Sequence, residues 1–207
     1  SSYAPKRICL TMKLPLVSII TVNYNHSSTT YEFLKTVKSQ TYPEIEVILI
    51  DNASKNFDKS IFSEFSFLKI HQNSINKGFA AANNQGIESS NGSFLFFLNF
   101  DVLLQKDTVE NMVNQWSRLK NPGLISPVLT FEQPADTIQY AGYNEINPLT
   151  GRNSSRFDRK EINHLPGSPY ETSFIHGAAM FTSRENTRVI GKMSEDYFLY
   201  YEEMDWC

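Results

Sequence analysis

Several short stretches of this chain combine residue types that bind or transfer polar groups. In "FFLNFD" an apolar run stops at Asn99 and Asp101, which flank Phe100. If the segment stays extended, that spacing sends the amide and the carboxylate to one side and the ring to the other, so both polar groups face a common ligand. Asp101 supplies a hard oxygen suited to Mg2+ or Mn2+, and such an ion bridges a diphosphate. Asn99 is neutral and suits sugar or ribose hydroxyls. A single carboxylate holds the ion poorly until phosphates complete its shell. The stretch "YFLYYEEMDW" sets Glu202, Glu203 and Asp205 among aromatic residues. Apolar rings destabilise a neighbouring carboxylate anion and make it a better proton acceptor near neutral pH. Adjacent residues do not share a helical face, so Glu202 and Glu203 need not do the same job.

Two further stretches carry weaker signals. Asp51 closes "EIEVILID" and can accept hydrogen bonds from a base or a ribose, although an Asp-Asn pair also makes an ordinary turn. In "SINKGFAAANNQGI" Lys77 can neutralise phosphate, Gly78 permits a tight turn, and Ala80 to Ala82 let a helix approach a sheet closely. His176, ahead of "GAAM", can orient a substrate hydroxyl or play a structural part. Bland alternatives exist for the acidic stretches too: "NFD" as a strand-terminating turn, and "EEMD" as a solvated patch near a helix start.

These groups act together only if the fold delivers them to one place. Residues 16 to 22, "LVSIITV", read as a buried strand that opens into the polar loop "NYNH". Phe33, Leu34 and Val37 then recur at helical spacing over 30 to 40, with Ser27, Ser28 and Thr29 as cap candidates. "EIEVILID" is a second strand, "SIFSEF" a short helix, "FLKI" a third strand and Phe79 to Ile87 a helix, followed by the strand "SFLFFL". A helix over 107 to 119 presents Val109, Met112, Val113 and Trp116 on one face, and "LISPVL" reads as another strand. Residues 131 to 172, rich in Pro, Gly, Asn, Asp and Arg, form a long functional loop or subdomain. "SFIHGAAMFTS" returns to a strand or hairpin. Such alternation is an α/β pattern, in which crossovers make the strands parallel and bring their C-terminal ends to one edge. Ligands bind beyond that edge.

The bulk of the sequence narrows the function classes. A chain of 207 residues with 41% hydrophobic and 20% charged content is globular and large enough to bury a core without a metal or disulfides. The net charge of −3 argues against a general nucleic-acid binder. Cys9 and Cys207, near opposite ends, form no metal-ligand spacing and no disulfide framework, which favours a reducing compartment. No apolar run reaches the length of a membrane span, and residues 1 to 14 lack a signal peptide's apolar core. Neither a GxGxxG fingerprint, a GxxxxGK[ST] loop nor a GxSxG elbow occurs, which disfavours dinucleotide dehydrogenases, P-loop NTPases and serine hydrolases.

Taken in order, "PLVSIITVNYN", "SQTYPEIEVILIDNAS", "NKGFAAANNQGI", "FLFFLNFDV", "HGAAMF" and "YFLYYEEMDW" resemble the family 2 glycosyltransferases of the GT-A fold, particularly their bacterial rhamnosyltransferase-like branch. The resemblance covers about residues 15 to 207, leaving 1 to 14 as an extension. It implies a mostly parallel sheet flanked by helices. It also implies that Thr21, Asn23 and Asn25 line a nucleotide pocket, that Asp51 contacts the base or ribose, and that Lys77 and Gly78 lie near the donor. "NFD" is similar to that family's DxD element, so Asn99 and Asp101 would meet ribose, diphosphate and metal, with Asp101 as the metal ligand. Glu203 falls on the family's base position, with Glu202 as a rival. The implied reaction is an inverting, metal-assisted transfer from a UDP- or dTDP-sugar to a hydroxyl of a glycan or lipid-linked acceptor in cell-surface polysaccharide synthesis. The implied location is the cytoplasm or the inner face of its membrane. Because the sequence stops just after the base motif, the resemblance also implies an N-terminal part of a longer enzyme. A catalytically silent sugar-nucleotide-binding module is the alternative. A nucleotidyltransferase fits less well, since "NYNHSS" is no Gly-rich, basic nucleotide loop.

Overall fold

The computed structural model describes residues 13 to 207, so Cys9 and most of the N-terminal extension lie outside the described residues. Five strands form the main sheet: β1 (Val17–Asn23), β2 (Ile45–Asp51), β3 (Leu68–Gln72), β4 (Phe94–Leu98) and β7 (Ala179–Ser183). Their order is β3-β2-β1-β4-β7, parallel except for β7, which runs antiparallel to β4. The chain therefore builds outward from β1 through β2 to β3, then returns to place β4 on the other side of β1. That reversal is a topological switch point, where a crevice opens beyond the carboxyl ends of β1 and β4.

Both faces of the sheet are covered, which is why its strands are apolar runs rather than alternating ones. On one face Val17, Ile19, Val47, Leu49, Phe96 and Leu98 meet α1 (Ser27–Lys38) through Phe33 and Leu34, and α3 (Thr108–Arg118) through Val109 and Met112. On the other, Ile20, Ile48, Ile50, Leu95 and Phe97 meet α2 (Gly78–Ser89) through Ala80 and Ala82. Small residues are required there. A Cβ on Gly86 would sit 2.3 Å from Cγ2 of Ile20, so any side chain at that position would push α2 off the sheet.

Three local elements differ from their sequence-based expectation. Helix α1 begins at Ser27, and its N-cap His26 makes no side-chain cap. Asn23 instead ties the helix start to the end of β1, its Oδ1 accepting from the His26 amide and from the Thr30 hydroxyl. "SIFSEF" yields only a 3-10 turn over Lys59–Phe62. "LISPVL" is no continuous strand, because Pro127 has no amide hydrogen to give a ladder. Ile125 bridges Phe181, and only Leu129–Thr130 (β5) pairs with β6 (Ile138–Tyr140). The rest of 131 to 172 is an irregular annex that buries Ile138, Tyr140 and Ala141. After β7 come α4 (Arg184–Ile190) and α5 (Glu202–Trp206). No helix among the described residues is long and apolar enough to cross a membrane.

Candidate active site at the switch point

A cavity of about 320 Å3 lies at the switch point. Its wall takes Val22 and Tyr24 from the end of β1, Asn52 from β2, Asn76 to Phe79 in part from the start of α2, Asn99 to Asp101 from β4, His176 to Ala178 before β7, and Phe198 to Tyr200 with Glu202 and Glu203 from the C-terminal stretch. The structure thus brings Gly78, Asn99, Asp101, Glu202 and Glu203 together, although more than a hundred positions separate the NFD turn from the second glutamate.

Thr21, Asn23, Asn25, Asp51 and Lys77 do not line this cavity. Side chains alternate along a strand, and on β1 the odd-numbered residues face α1. Thr21 is fully buried there, its hydroxyl without a partner among the described residues. Asn23 and Asp51, paired in register at the two strand ends, are also fully buried. Asn23 Nδ2 donates to Asp51 Oδ1 at 2.7 Å, and Asp51 Oδ2 accepts from the Ser54 amide at 3.1 Å. Asn25, in left-handed backbone at φ 61, accepts from the Lys55 amide through Oδ1. Together these bonds brace the loops after β1 and β2. The even-numbered neighbours, Val22, Tyr24 and Asn52, reach the cavity instead.

Asn52 organises the entry to α2. It is 3% exposed, its Oδ1 accepts from the Lys77 amide and from Asn73 Nδ2, and its own Nδ2 donates to Asn76 Oδ1 and the Gly78 carbonyl. Lys77 contributes only backbone to this network, and its side chain is exposed. Gly78 sits at φ +83 directly beneath the strap formed by residues 197 to 201. The Phe79 amide donates to the Phe198 carbonyl at 3.0 Å, and a Cβ on Gly78 would come within 2.5 Å of that oxygen.

The NFD segment is a turn, not an extended strand end. β4 stops at Leu98, and the Val102 amide donates back to the Asn99 carbonyl. All three residues line the cavity, and the Phe100 ring stacks on His26, the N-cap of α1, at 5.1 Å and 15°. Asp101 is exposed and Asn99 half-buried. No cluster of three or more acidic, His or Cys side chains able to hold a metal occurs among the described residues. The oxygen donors of Asp101 and Asn99 do fit a hard divalent cation, but only one whose shell a phosphate ligand completes.

The acidic pair arrives on a strained backbone. Tyr200 and Tyr201 both adopt φ 72, a left-handed conformation that costs non-glycine residues on the order of 1 kcal/mol each. Core contacts hold the segment. Trp206 packs edge-on against Phe97 and donates Nε1–H to the Gly191 carbonyl, while Asn84 of α2 brackets Met193 through both its amide and its carbonyl. Glu202 is 3% exposed with Oε2 unpartnered, and burial together with the charge of Glu203 raises its pKa, so it keeps its proton longer than a free carboxyl. Glu203 is half-buried and lies against Gly177, where an added Cβ would approach its side chain to 3.6 Å. Asp205 is exposed and off the cavity wall. His176 has its pKa lowered by burial, partly offset by Glu203.

Residues 18 to 187 match the family model for glycosyl transferase family 2. The chain belongs to that family. It is 25% identical over 199 residues to an uncharacterized glycosyltransferase of Rickettsia typhi, covering 91% of this chain and 58% of that one. It is 37% identical over 111 residues to the glycosyltransferase AglE of Haloferax volcanii, covering 51% and 36%. The chain thus spans less than two thirds of these relatives' length. Among solved structures it resembles the mannosyltransferase PcManGT of Pyrobaculum calidifontis in complex with GDP-Man and Mn2+, with a TM-score of 0.63 and 19% identity over 89% of this chain and 49% of that. TarS of S. aureus in complex with UDP gives a TM-score of 0.64 and 17% identity over 92% and 54%. At these identities the likeness concerns architecture, and that architecture is the GT-A fold.

Sequence reasoning did not single out Tyr24, Asn52 or Phe100 as wall residues. Tyr24 and Asn52 had a signal: each lies next to a chosen residue, one step out of phase along its strand.

Proposed function

We propose that this family 2 chain carries the donor site and the base of an inverting glycosyltransferase, acting on a UDP- or dTDP-sugar and a hydroxyl of a glycan or lipid-linked acceptor. The observation that carries this reading is the meeting of Asp101 and Glu203 on one cavity wall at the switch point. Tyr24, 43% exposed beside that cavity, offers a ring face on which a base can stack, and the polar atoms of Asn99 suit ribose hydroxyls. A divalent cation held by Asp101 and the donor's phosphates would neutralise charge on the departing diphosphate.

The chain's own residues do the rest. Glu203 accepts the proton of the acceptor hydroxyl as its oxygen bonds to the anomeric carbon. The bond from that carbon to the diphosphate breaks on the opposite side, and the electron pair leaves with the phosphate oxygen. Because attack and departure lie on opposite faces, the configuration inverts. Glu202, buried with Oε2 unpartnered, is the rival for that proton-accepting role. A screen of UDP-, dTDP- and GDP-sugars with Mn2+ for hydrolysis or transfer tests the reading. Turnover of at least one donor is expected, whereas binding without turnover favours a silent module, and no binding removes the donor site altogether.

A further inference from the structure

One tight turn touches both acidic walls of the cavity, and a side chain outside the proposed chemistry closes it. The turn runs from His176 to Ala179, with the Ala179 amide donating to the His176 carbonyl. On one side, the Asn99 amide donates to the Ala178 carbonyl at 3.0 Å, which fixes the start of the turn carrying Asp101. On the other, Gly177 lies against the Glu203 side chain. Within the turn, the Ala178 amide donates to His176 Nδ1 at 3.0 Å. An Nδ1 that accepts carries no hydrogen, so the neutral ring keeps its proton on Nε2. The ring is itself clamped by Tyr140 at 5.5 Å and Tyr143 at 6.4 Å, and Tyr143 is stacked in turn on Phe174 at 4.4 Å.

We infer that His176 is a positioning residue: through Nδ1 it holds the 176–179 turn as a spacer that sets the Asn99–Asp101 turn at a fixed distance from Glu203. The annex over 131 to 172 contributes through Tyr140 and Tyr143, which fix the ring plane, so this irregular segment shapes the site without supplying an acid or a base. The histidine's role needs its acceptor atom, not its charge. That separates it from a general acid or base, and an Asn at 176 can place an amide oxygen near the Nδ1 position, whereas a Phe fills the ring volume with no acceptor.

The test compares His176→Asn and His176→Phe with the wild-type chain by hydrogen exchange and by nucleotide binding. In His176→Phe, the amides of Ala178 and Asn99 should exchange about tenfold faster while Phe96 in the middle of β4 stays protected, and in His176→Asn both should keep near wild-type protection. Equal exchange in His176→Phe and wild type, or equal acceleration in both variants, overturns the inference. The second readout is the gain in UDP affinity on adding Mn2+, which rests on the donor-site reading proposed above. It should fall about tenfold in His176→Phe and be restored in His176→Asn, the usual worth of a residue that orients a metal ligand. If wild type shows no Mn2+-dependent UDP binding, the donor reading fails while the exchange data still decide the role of His176.

Discussion

The two sides of the strand tips are built from neighbouring residues yet do opposite things. On the α1 side, Thr21, Asn23 and Asp51 are fully buried, and Asn23 and Asp51 spend their polar atoms on each other, on Ser54, on Thr30 and on the start of α1. On the α2 side, Val22, Tyr24 and Asn52, each one residue later, open onto a cavity with an exposed ring and an exposed carboxylate. The first side, the Thr21 hydroxyl apart, turns its polar atoms inward and braces the loops; the second presents an aromatic ring and a carboxylate that can bind.

Breaking the cavity side should give the larger effects. Glu203→Gln should cut turnover about 10²-fold or more while leaving nucleotide affinity nearly unchanged, since it removes a proton acceptor but keeps shape and hydrogen bonding. Steady-state kinetics beside calorimetry checks this, and unchanged turnover would pass the base role to Glu202. Tyr24→Ala should weaken nucleotide binding about tenfold through lost stacking and barely move the melting temperature. Asn23→Ala should do the reverse. It leaves Oδ1 of buried Asp51 without its side-chain donor, costing about 1–3 kcal/mol, seen as a lower thermal midpoint with nucleotide affinity changed only modestly. If Asn23→Ala abolished binding without loss of stability, the contrast between the two sides would collapse.

An effect on stability alone lies at the far end of the sheet. Burial alone would raise the pKa of Glu46, but hydrogen bonds from Lys69, Ser18 and Asn91 outweigh it and hold the group at about 2, against an ordinary 4.5. A carboxyl whose folded pKa is depressed contributes stability at pH above its unfolded value and loses it as pH falls through its folded one. Unfolding midpoints should therefore drop between about pH 4.5 and 2, and Glu46→Gln should flatten that slope without touching nucleotide binding.

The order of elements was legible because buried strands separated by amphipathic helices leave few arrangements, and the polar residues that close each strand mark its carboxyl end. Which residue of each closing motif faces the ligand was not. Runs such as "VSIITV" are covered on both faces and carry no alternation, so Thr21 and Asn23 looked as eligible as Val22 and Tyr24. The NFD turn escaped for a different reason: extended geometry stops at Leu98, short of the motif, so strand alternation does not decide where its three side chains lie. The annex at 131 to 172 shows no periodicity because bridges such as Thr137 to Glu161 and Tyr143 to Ser155, rather than a repeated pattern, hold it. Its link to His176 was invisible from spacing alone. The acidic pair was easier to find, since two carboxylates amid aromatic rings stand out in any window.

Calorimetric titration of UDP, GDP and dTDP into the wild-type chain and Asp101→Ala, with and without Mn2+, tests the central claim most directly. The account predicts that at least one nucleotide binds, that Mn2+ tightens it, and that Asp101→Ala abolishes the Mn2+ effect while metal-free affinity persists. Mn2+ enhancement undiminished in Asp101→Ala, or no binding of any nucleotide to the wild-type chain, would contradict it.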